Sequence, residues 1–521
     1  MDMRAALRTA VLLALGISAV VMMLHRFASF PGLHGDEAWA GLRALEHTER
    51  GLFTLHGMRY YAGSLYPYVL SLVFKAQGAS VASLRLPGLV LNLTGLALLL
   101  AVLFRHSTRS AGLFIALSCT SLLLLLQTRL AWEVMAWNLF GQACLISVAY
   151  VFLARGRPSA PVAYLFFVVS ILGALNHFVF VSWNLAFALA SAVLWWNGRA
   201  SAPASRFFLL NVLGLAAVLI VCVVMWRVDD ETFQSHSAAV LTSLVVLPLM
   251  ATGFWVALPP ALERLTQAVQ SWRSASVEGS HMRKPRIRTL AAVALAPFVI
   301  MHTIGFSSAL GNDLLYRRMF GYVPPLALRL AGLVFVAVVI GTVAVACVRA
   351  TRTFGSDPTD AHGAFWALLL PFYAAGFPLF TSRESARHYL LLTVALFYAG
   401  AVLVPRYLPR LHARLLAVAL VFATATQALA WWNLSAPPRP PLDFRVGWRK
   451  ETSKHLLNIS AVYELLKREG ICRYEAEFFI KEPLEFLRKA DGVDCANPAL
   501  ATITYCPACE ETFFYSVSAT R

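Results

Sequence analysis

Charge is scarce in this chain, and negative charge is scarcer still. Asp, Glu, Lys and Arg together make up 14% of its 521 residues, and 27 acidic side chains are outnumbered by 44 basic ones. A soluble protein of this size carries far more charge on its surface. With 59% hydrophobic residues and a mean hydropathy of +0.65, a wholly soluble globule is excluded. Also missing are a glycine-rich phosphate loop, an external nucleotide-sugar-binding segment and an internal repeat relating the two halves. The first two absences argue against a nucleotide-driven enzyme, and the third against a transporter built from repeated halves. The +17 net charge is scattered over many short loops and gathers into no single patch, so no nucleic-acid partner is expected.

What the chain has in abundance is long apolar runs. About thirteen are long enough to cross ~30 Å of hydrocarbon as helices, near residues 7–27, 84–104, 110–127, 133–153, 161–177, 179–196, 207–226, 237–257, 289–305, 326–348, 364–380, 388–404 and 414–432. Lys and Arg fall in alternate loops: Arg105 and Arg109, Arg155 and Arg157, Arg199 and Arg206, Arg283 to Arg288, Arg349 and Arg352, Arg406 to Arg414. One of the intervening loops reads Asp229-Asp230-Glu231. By the positive-inside rule this alternation puts the N-terminus in the cytoplasm and the C-terminal tail outside, in a multi-pass protein of a bacterial inner membrane. The first run lacks a convincing small-residue cleavage site and reads as a retained helix.

The expected fold class is therefore mainly α, a polytopic membrane domain over 1–432 with a small external α/β domain over 433–521. Pro437-Pro438-Arg439-Pro440-Pro441 is a stiff linker between them. The tail is neutral, with twelve Lys/Arg against twelve Asp/Glu from Asn433 onward. It predicts helices over 454–469 and 482–489 and strands over 472–480, 501–505 and 512–517. Its four cysteines, Cys472, Cys495, Cys506 and Cys509, are expected to form disulfides, with a zinc site or free thiols as alternatives; the other four sit in apolar runs as ordinary core residues.

Against so little acidic charge, His34-Gly35-Asp36-Glu37-Ala38-Trp39 stands out where the chain leaves its first apolar run. Carboxylates beside a membrane are costly and mark function. Adjacent residues on a helix point about 100° apart, so only one of Asp36 and Glu37 can face a given pocket. Asp36 reads as a general base with Glu37 in support, or the pair simply caps a helix. The next external loop holds Arg129 and Glu133, which either pair with each other or join Asp36, with Glu133 as a second catalytic carboxylate and Arg129 holding an anion. Tyr60, Tyr61 and Tyr66 lie in an aromatic, Gly/Pro-broken segment suited to an interfacial helix that receives a lipid-linked substrate. Arg383, Arg387, His388 and Tyr389 form a further external cluster suited to phosphate. Asn312-Asp313 with Tyr316 reads as a loop that lines or gates the site, and His177 as a structural histidine.

One helix, an external Gly35-Asp36-Glu37 loop, Gly63-Ser64-Leu65-Tyr66-Pro67-Tyr68, the Leu84-Arg85-Leu86-Pro87-Gly88 opening of the next helix and external Arg129…Glu133 together resemble the GT-C fold glycosyltransferases of the protein O-mannosyltransferase and aminoarabinose transferase type. The motif content covers about residues 1–200. The resemblance implies a polyprenyl-phosphate sugar donor, a glycan, lipid or protein acceptor, surrounding membrane lipids and catalysis on the outer face. Asp36 matches the first-loop catalytic aspartate of such enzymes. Glu133 stands where a second-loop acid, often Asp, is found, and Arg387 would meet the donor phosphate. No cofactor is required; a divalent metal, as in the oligosaccharyltransferase branch, is the less favoured arrangement. The rival reading is a polytopic transporter or a flippase for lipid-linked sugar.

Overall fold

The computed structural model describes residues 3–51, 54–58, 62–131, 134, 137–156, 159–197, 202–260, 264, 267–268, 271, 287–320, 324–356, 361–380, 388–435, 459–476, 478–493, 497–506 and 512–518. The first helices are α1 (Met3–Leu24), α2 (Gly35–Arg50), α3 (Leu65–Gln77), α4 (Val81–His106), α5 (Thr108–Cys119) and α6 (Leu122–Gln127). Then come α7 (Asn138–Leu153), α8 (Ala160–Asn176), α9 (Val179–Asn197), α10 (Ala202–Arg227), α11 (Asp230–Ala257), α12 (Ile287–Leu310) and α13 (Asp313–Phe320). The bundle closes with α14 (Leu326–Ser356), α15 (Ala361–Gly376), α16 (Tyr389–Tyr407) and α17 (Pro409–Ser435).

All of the expected apolar runs fall on helices, but not each on one spanning helix. Among the described residues, eight helices are long and apolar enough to cross a membrane, and three more apolar helices are shorter: Asn138–Leu153, Ala160–Asn176 and Phe298–Leu310. The run 110–127 is broken between α5 and α6, where the Thr120 and Ser121 amides bond Leu117 and Ser118 carbonyls in a tight turn. The Asn312 side chain fills that break. Its oxygen accepts from the Leu122 amide (2.9 Å) and its amide donates to the Thr120 carbonyl (2.6 Å).

The membrane helices bury one face and leave another apolar face bare. Ile300, Ile304, Val421 and Ile17 are among the many exposed aliphatic side chains, which in water would be a severe liability and in lipid is the favourable state. Inward faces make one large core, in which Trp183, Trp366, Tyr373 and Tyr398 are fully buried, and a smaller separate cluster around Ile171, Val218 and Met225.

The C-terminal residues form α18 (Ile459–Arg468), β1 (Ile471–Glu475), α19 (Phe478–Ala490), β2 (Asn497–Cys506) and β3 (Thr512–Ser518). The sheet order is β1-β2-β3, with β1 and β2 parallel and β2 and β3 antiparallel, so α19 is the crossover that a parallel pair requires. The strand expected over 472–480 ends at Glu475, and the second helix begins four residues earlier than its expected start at 482. Cys472 is disulfide-bonded. The Pro437–Pro441 linker, Cys495 and Cys509 lie outside the described residues.

Candidate active site

The candidate site is assembled at the end of the bundle where α1 finishes, α2 and α4 begin and α6 ends. α2 starts where its sequence predicts a cap. The Asp36 amide donates to His34 Nδ1 (3.2 Å), and Glu37 Oε2 accepts from the His34 amide (3.2 Å), a reciprocal capping box. Gly51 ends the helix with φ 63°, a left-handed conformation suited to glycine, its amide on the His47 carbonyl. His34 Nδ1 also lies 3.7 Å from Asp36 Oδ2.

The two adjacent carboxylates have opposite surroundings. Glu37 is wholly buried. It accepts from Arg85 Nε (2.8 Å) and Nη2 (2.7 Å), from the Ala131 amide (2.8 Å) and from the His34 amide. Every group facing it is a donor. Arg85, equally buried, spends its remaining hydrogens on the carbonyls of Phe27 (2.8 Å), Pro31 (3.0 Å) and Gly32 (3.3 Å). This fork-on-fork pair therefore clamps the loop before α2, the start of α4 and the segment after α6 into one unit. Glu37, expected to support Asp36 or to cap the helix, is held in this clamp and in the capping box of α2. The side chain of Asp36 keeps 14% exposure on the first turn of α2, where the helix dipole favours an anion.

Arg85 is a site residue beyond the expected ones; its signals in the sequence are a charge inside an apolar run and its place in Leu84-Arg85-Leu86-Pro87-Gly88. Arg129, expected to pair with Glu133 or to hold an anion, is fully buried against the end of α1. It donates to the carbonyls of His25 (2.7 Å), Met22 (3.4 Å) and Leu126 (3.3 Å), and its guanidinium lies 5.4 Å from the Phe30 ring centroid. Among the described residues its Nη2 has no hydrogen-bond partner. Burial pulls Arg129 down to about 9, with the nearby Arg85 adding to the fall and Glu37 opposing it, so it remains a cation at neutral pH. Two buried arginines thus lie beside one buried carboxylate, with Asp36 on the first turn of α2 as the second acid.

Of the segment read as an interfacial helix over the tyrosines, residues 65–68 open α3, and ahead of them residues 62–64 form a two-armed pairing with residues 54–57. Its arms close through the Gly57 amide on Ala62 O (2.6 Å), Ser64 Oγ on His56 O (2.6 Å) and a Thr54–Ser64 hydroxyl contact (2.8 Å). Asp230 Oδ1 anchors it by accepting from the Leu55 and His56 amides and from His56 Nδ1. On its other flank Gly63 donates to Asn176 O (3.2 Å), and Ala62 bridges to His177. Tyr66 does not face outward as a substrate ligand would; it is buried, with its hydroxyl on the Leu84 carbonyl (3.2 Å).

His388 is buried edge-on to His177, with ring centroids 5.5 Å apart. His177 is structural as expected of it, its Nδ1 accepting from the Val179 amide (3.0 Å). Tyr389, expected to bind substrate, is packed on Phe377 with its hydroxyl 3.0 Å from His302 Nδ1, in an aromatic cluster between α12 and α16. Asn312 and Tyr316 line no site here: Asn312 fills the α5–α6 break, and the Tyr316 hydroxyl donates to Thr426 O (3.1 Å). Tyr60, Tyr61, Glu133, Arg383 and Arg387 lie outside the described residues. Among the described residues no group of three or more His, Cys, Asp or Glu side chains converges as metal ligands.

No family model matches the chain, and no curated protein matches it by sequence. Among solved structures it is similar to ArnT from Cupriavidus metallidurans bound to undecaprenyl phosphate. The identity there is 13% over 96% of this chain and 93% of that one, with a TM-score of 0.35. It is also similar to the Archaeoglobus fulgidus oligosaccharyltransferase in complex with Zn and sulfate (12% identity, 95% and 68% covered, TM-score 0.46). A third similarity is to the archaeal oligosaccharyltransferase AglB from the same organism, in complex with an inhibitory peptide and a dolichol-phosphate (12% identity, 96% covered, TM-score 0.38). The chain spans 57% of the length of that last protein.

Proposed function

We propose that this chain is an integral-membrane glycosyltransferase that moves a sugar from a polyprenyl-phosphate donor to an acceptor hydroxyl or amine on the outer face of the membrane. The observation that carries the reading is the unequal fate of two neighbouring carboxylates. Glu37 is locked away by four donated hydrogen bonds, and the clamp it completes holds rigid the first turn of α2, on which Asp36 stays reachable. A fixed carboxylate close to cations is what such a transfer needs.

In this reaction Asp36 takes the acceptor proton as the acceptor oxygen or nitrogen bonds to the anomeric carbon. The bond from that carbon to the phosphate oxygen breaks, its electrons leave with the polyprenyl phosphate, and the single displacement inverts the centre. The leaving phosphate is already anionic and needs no proton; it needs cations. Arg383 and Arg387 are assigned to it, His388 to the donor side and Tyr60 and Tyr61 to the lipid. Glu133 is assigned to a second acid beside Asp36. Buried Arg85 and Arg129 supply positive field without touching the substrate.

The test is reconstitution in liposomes with labelled polyprenyl-phosphate sugars of several kinds and membrane extract as acceptor. Label leaving the lipid for an acceptor supports the transferase. Label that changes leaflet and stays on its lipid refutes it in favour of a flippase.

A further inference from the structure

The tail's own core and the core under α2 are separate clusters, and α19 contributes to both. Ile480 and Leu484 belong to the tail's core, whereas Phe486, fully buried, belongs to the cluster built by α2, α3 and the start of α4. Its ring lies 6.1 Å from Phe74 of α3. On α2 it meets Gly41. A Cβ built on Gly41 would fall 2.7 Å from Phe486 Cδ2, nearer still to Cε2, and 3.2 Å from Leu84 Cδ1, so only glycine leaves room for the ring. Gly41 is one helical turn beyond Glu37 and shares its stripe of α2. The catalytic helix is thus held twice along one face, by the Arg85 clamp and by this ring. Farther along the same contact, burial and the neighbouring Glu485, Lys481, Glu46 and Arg43 charges act on Glu482 and on balance raise its carboxyl, placing α19 against the last turns of α2.

We propose that the C-terminal unit is a brace for the helix that carries Asp36, with Phe486 as a positioning residue and Gly41 as the notch that receives it. The inference rests on Asp36 being the base. In this account the tail enters the reaction through geometry: it fixes where the Asp36 carboxylate stands relative to the acceptor, so loosening it should change turnover and leave donor binding alone. A displacement of about 1 Å at a reacting group lowers rates by up to about a hundred-fold.

The full-length protein would be compared with Gly41→Ala, Phe486→Ala, Phe486→Leu and the Gly41→Ala/Phe486→Leu pair. Alanine is the better helix former, so Gly41→Ala should keep α2 intact while driving out the ring. Gly41→Ala and Phe486→Ala should each lower kcat by on the order of ten- to a hundred-fold, with the donor KM unchanged and amides of residues 35–50 exchanging faster. The smaller ring-free side chain in Gly41→Ala/Phe486→Leu should recover part of the kcat lost in Gly41→Ala alone. A Gly41→Ala protein with full kcat and wild-type exchange over 35–50 would overturn the brace, as would a double variant whose losses simply add. If the wild-type protein transfers no sugar, the reading of Asp36 fails. Exchange over 35–50 in Phe486→Leu then still decides whether the tail holds α2.

Discussion

Glu37→Gln is nearly isosteric, and the structure predicts that it is severe. All the groups facing Glu37 are N–H donors: two from Arg85 and one each from the His34 and Ala131 amides. Gln replaces one acceptor oxygen by a donor NH2. Whichever way the amide turns, that NH2 meets one Arg85 nitrogen and one backbone amide. Two hydrogen bonds to a charged group are lost, at about 1.5–3 kcal/mol each. The Arg85 charge also keeps its burial and loses its counter-charge, a situation that costs about 3–5 kcal/mol where one partner of a buried pair is removed. The two estimates describe the same loss by different routes, and agree on about 3–5 kcal/mol. The assay is thermal unfolding in detergent or nanodiscs together with amide exchange, and the largest loss of protection should fall on Ala131 and residues 34–38. A Glu37→Gln protein with wild-type stability and protection there would refute the clamp.

Further expectations follow from the same geometry. Asp36→Asn should change stability by no more than about 2 kcal/mol, the scale of one partly buried charge at a helix N-terminus, measured by the same unfolding assay. Asn312→Ala loses the fill of the α5–α6 break and puts a Cβ residue other than Asn at φ 67°, so it should destabilise by about 2–4 kcal/mol. Gly63→Ala would overlap the Leu175 carbonyl oxygen, so it should unseat the pairing of residues 62–64 with residues 54–57, seen as faster exchange at Gly63 and His56. In the tail, the Lys467 ammonium, 2.6 Å away, holds the Asp491 carboxyl below the usual carboxylate range, with the Tyr463 hydroxyl helping and partial burial opposing. Because the folded value is depressed, this contribution is full above the ordinary carboxylate range and is lost as pH falls through the folded value. Asp491→Asn should therefore lower stability at neutral pH, leave the strongly acid end nearly unchanged, and so flatten the acid limb of a stability–pH profile.

The membrane helices were legible because a lipid-facing helix must be apolar along its whole length, and hydropathy reads that directly. The inequality of Asp36 and Glu37 was legible from helical geometry alone, since neighbours on a helix cannot share a face. What each carboxylate faces was not. Arg85 is 48 residues from Glu37, and nothing local in Leu84-Arg85-Leu86 names its partner. Phe486 reads as one more apolar residue of an amphipathic helix, and Gly41 as a weak point in another; only packing shows them as ring and notch. Tyr66 and Tyr389 were read as ligands because aromatics near a membrane edge suit lipids and sugars. The fold instead gives their hydroxyls the Leu84 carbonyl and His302. The break at Thr120–Ser121 escaped a hydropathy reading because leucines on both sides mask it.

The central claim is that Asp36 does chemistry where Glu37 does support, and one comparison tests it most directly. Wild type, Asp36→Asn and Glu37→Gln would be assayed for sugar transfer from a labelled polyprenyl-phosphate donor, with the folded fraction of each measured in the same preparation. The account predicts that Asp36→Asn is folded and loses transfer per folded molecule by at least about a hundred-fold, the scale of general-base catalysis. Glu37→Gln should lose its activity in step with its folded fraction and the order of α2. An Asp36→Asn protein that transfers sugar at the wild-type rate would contradict the account.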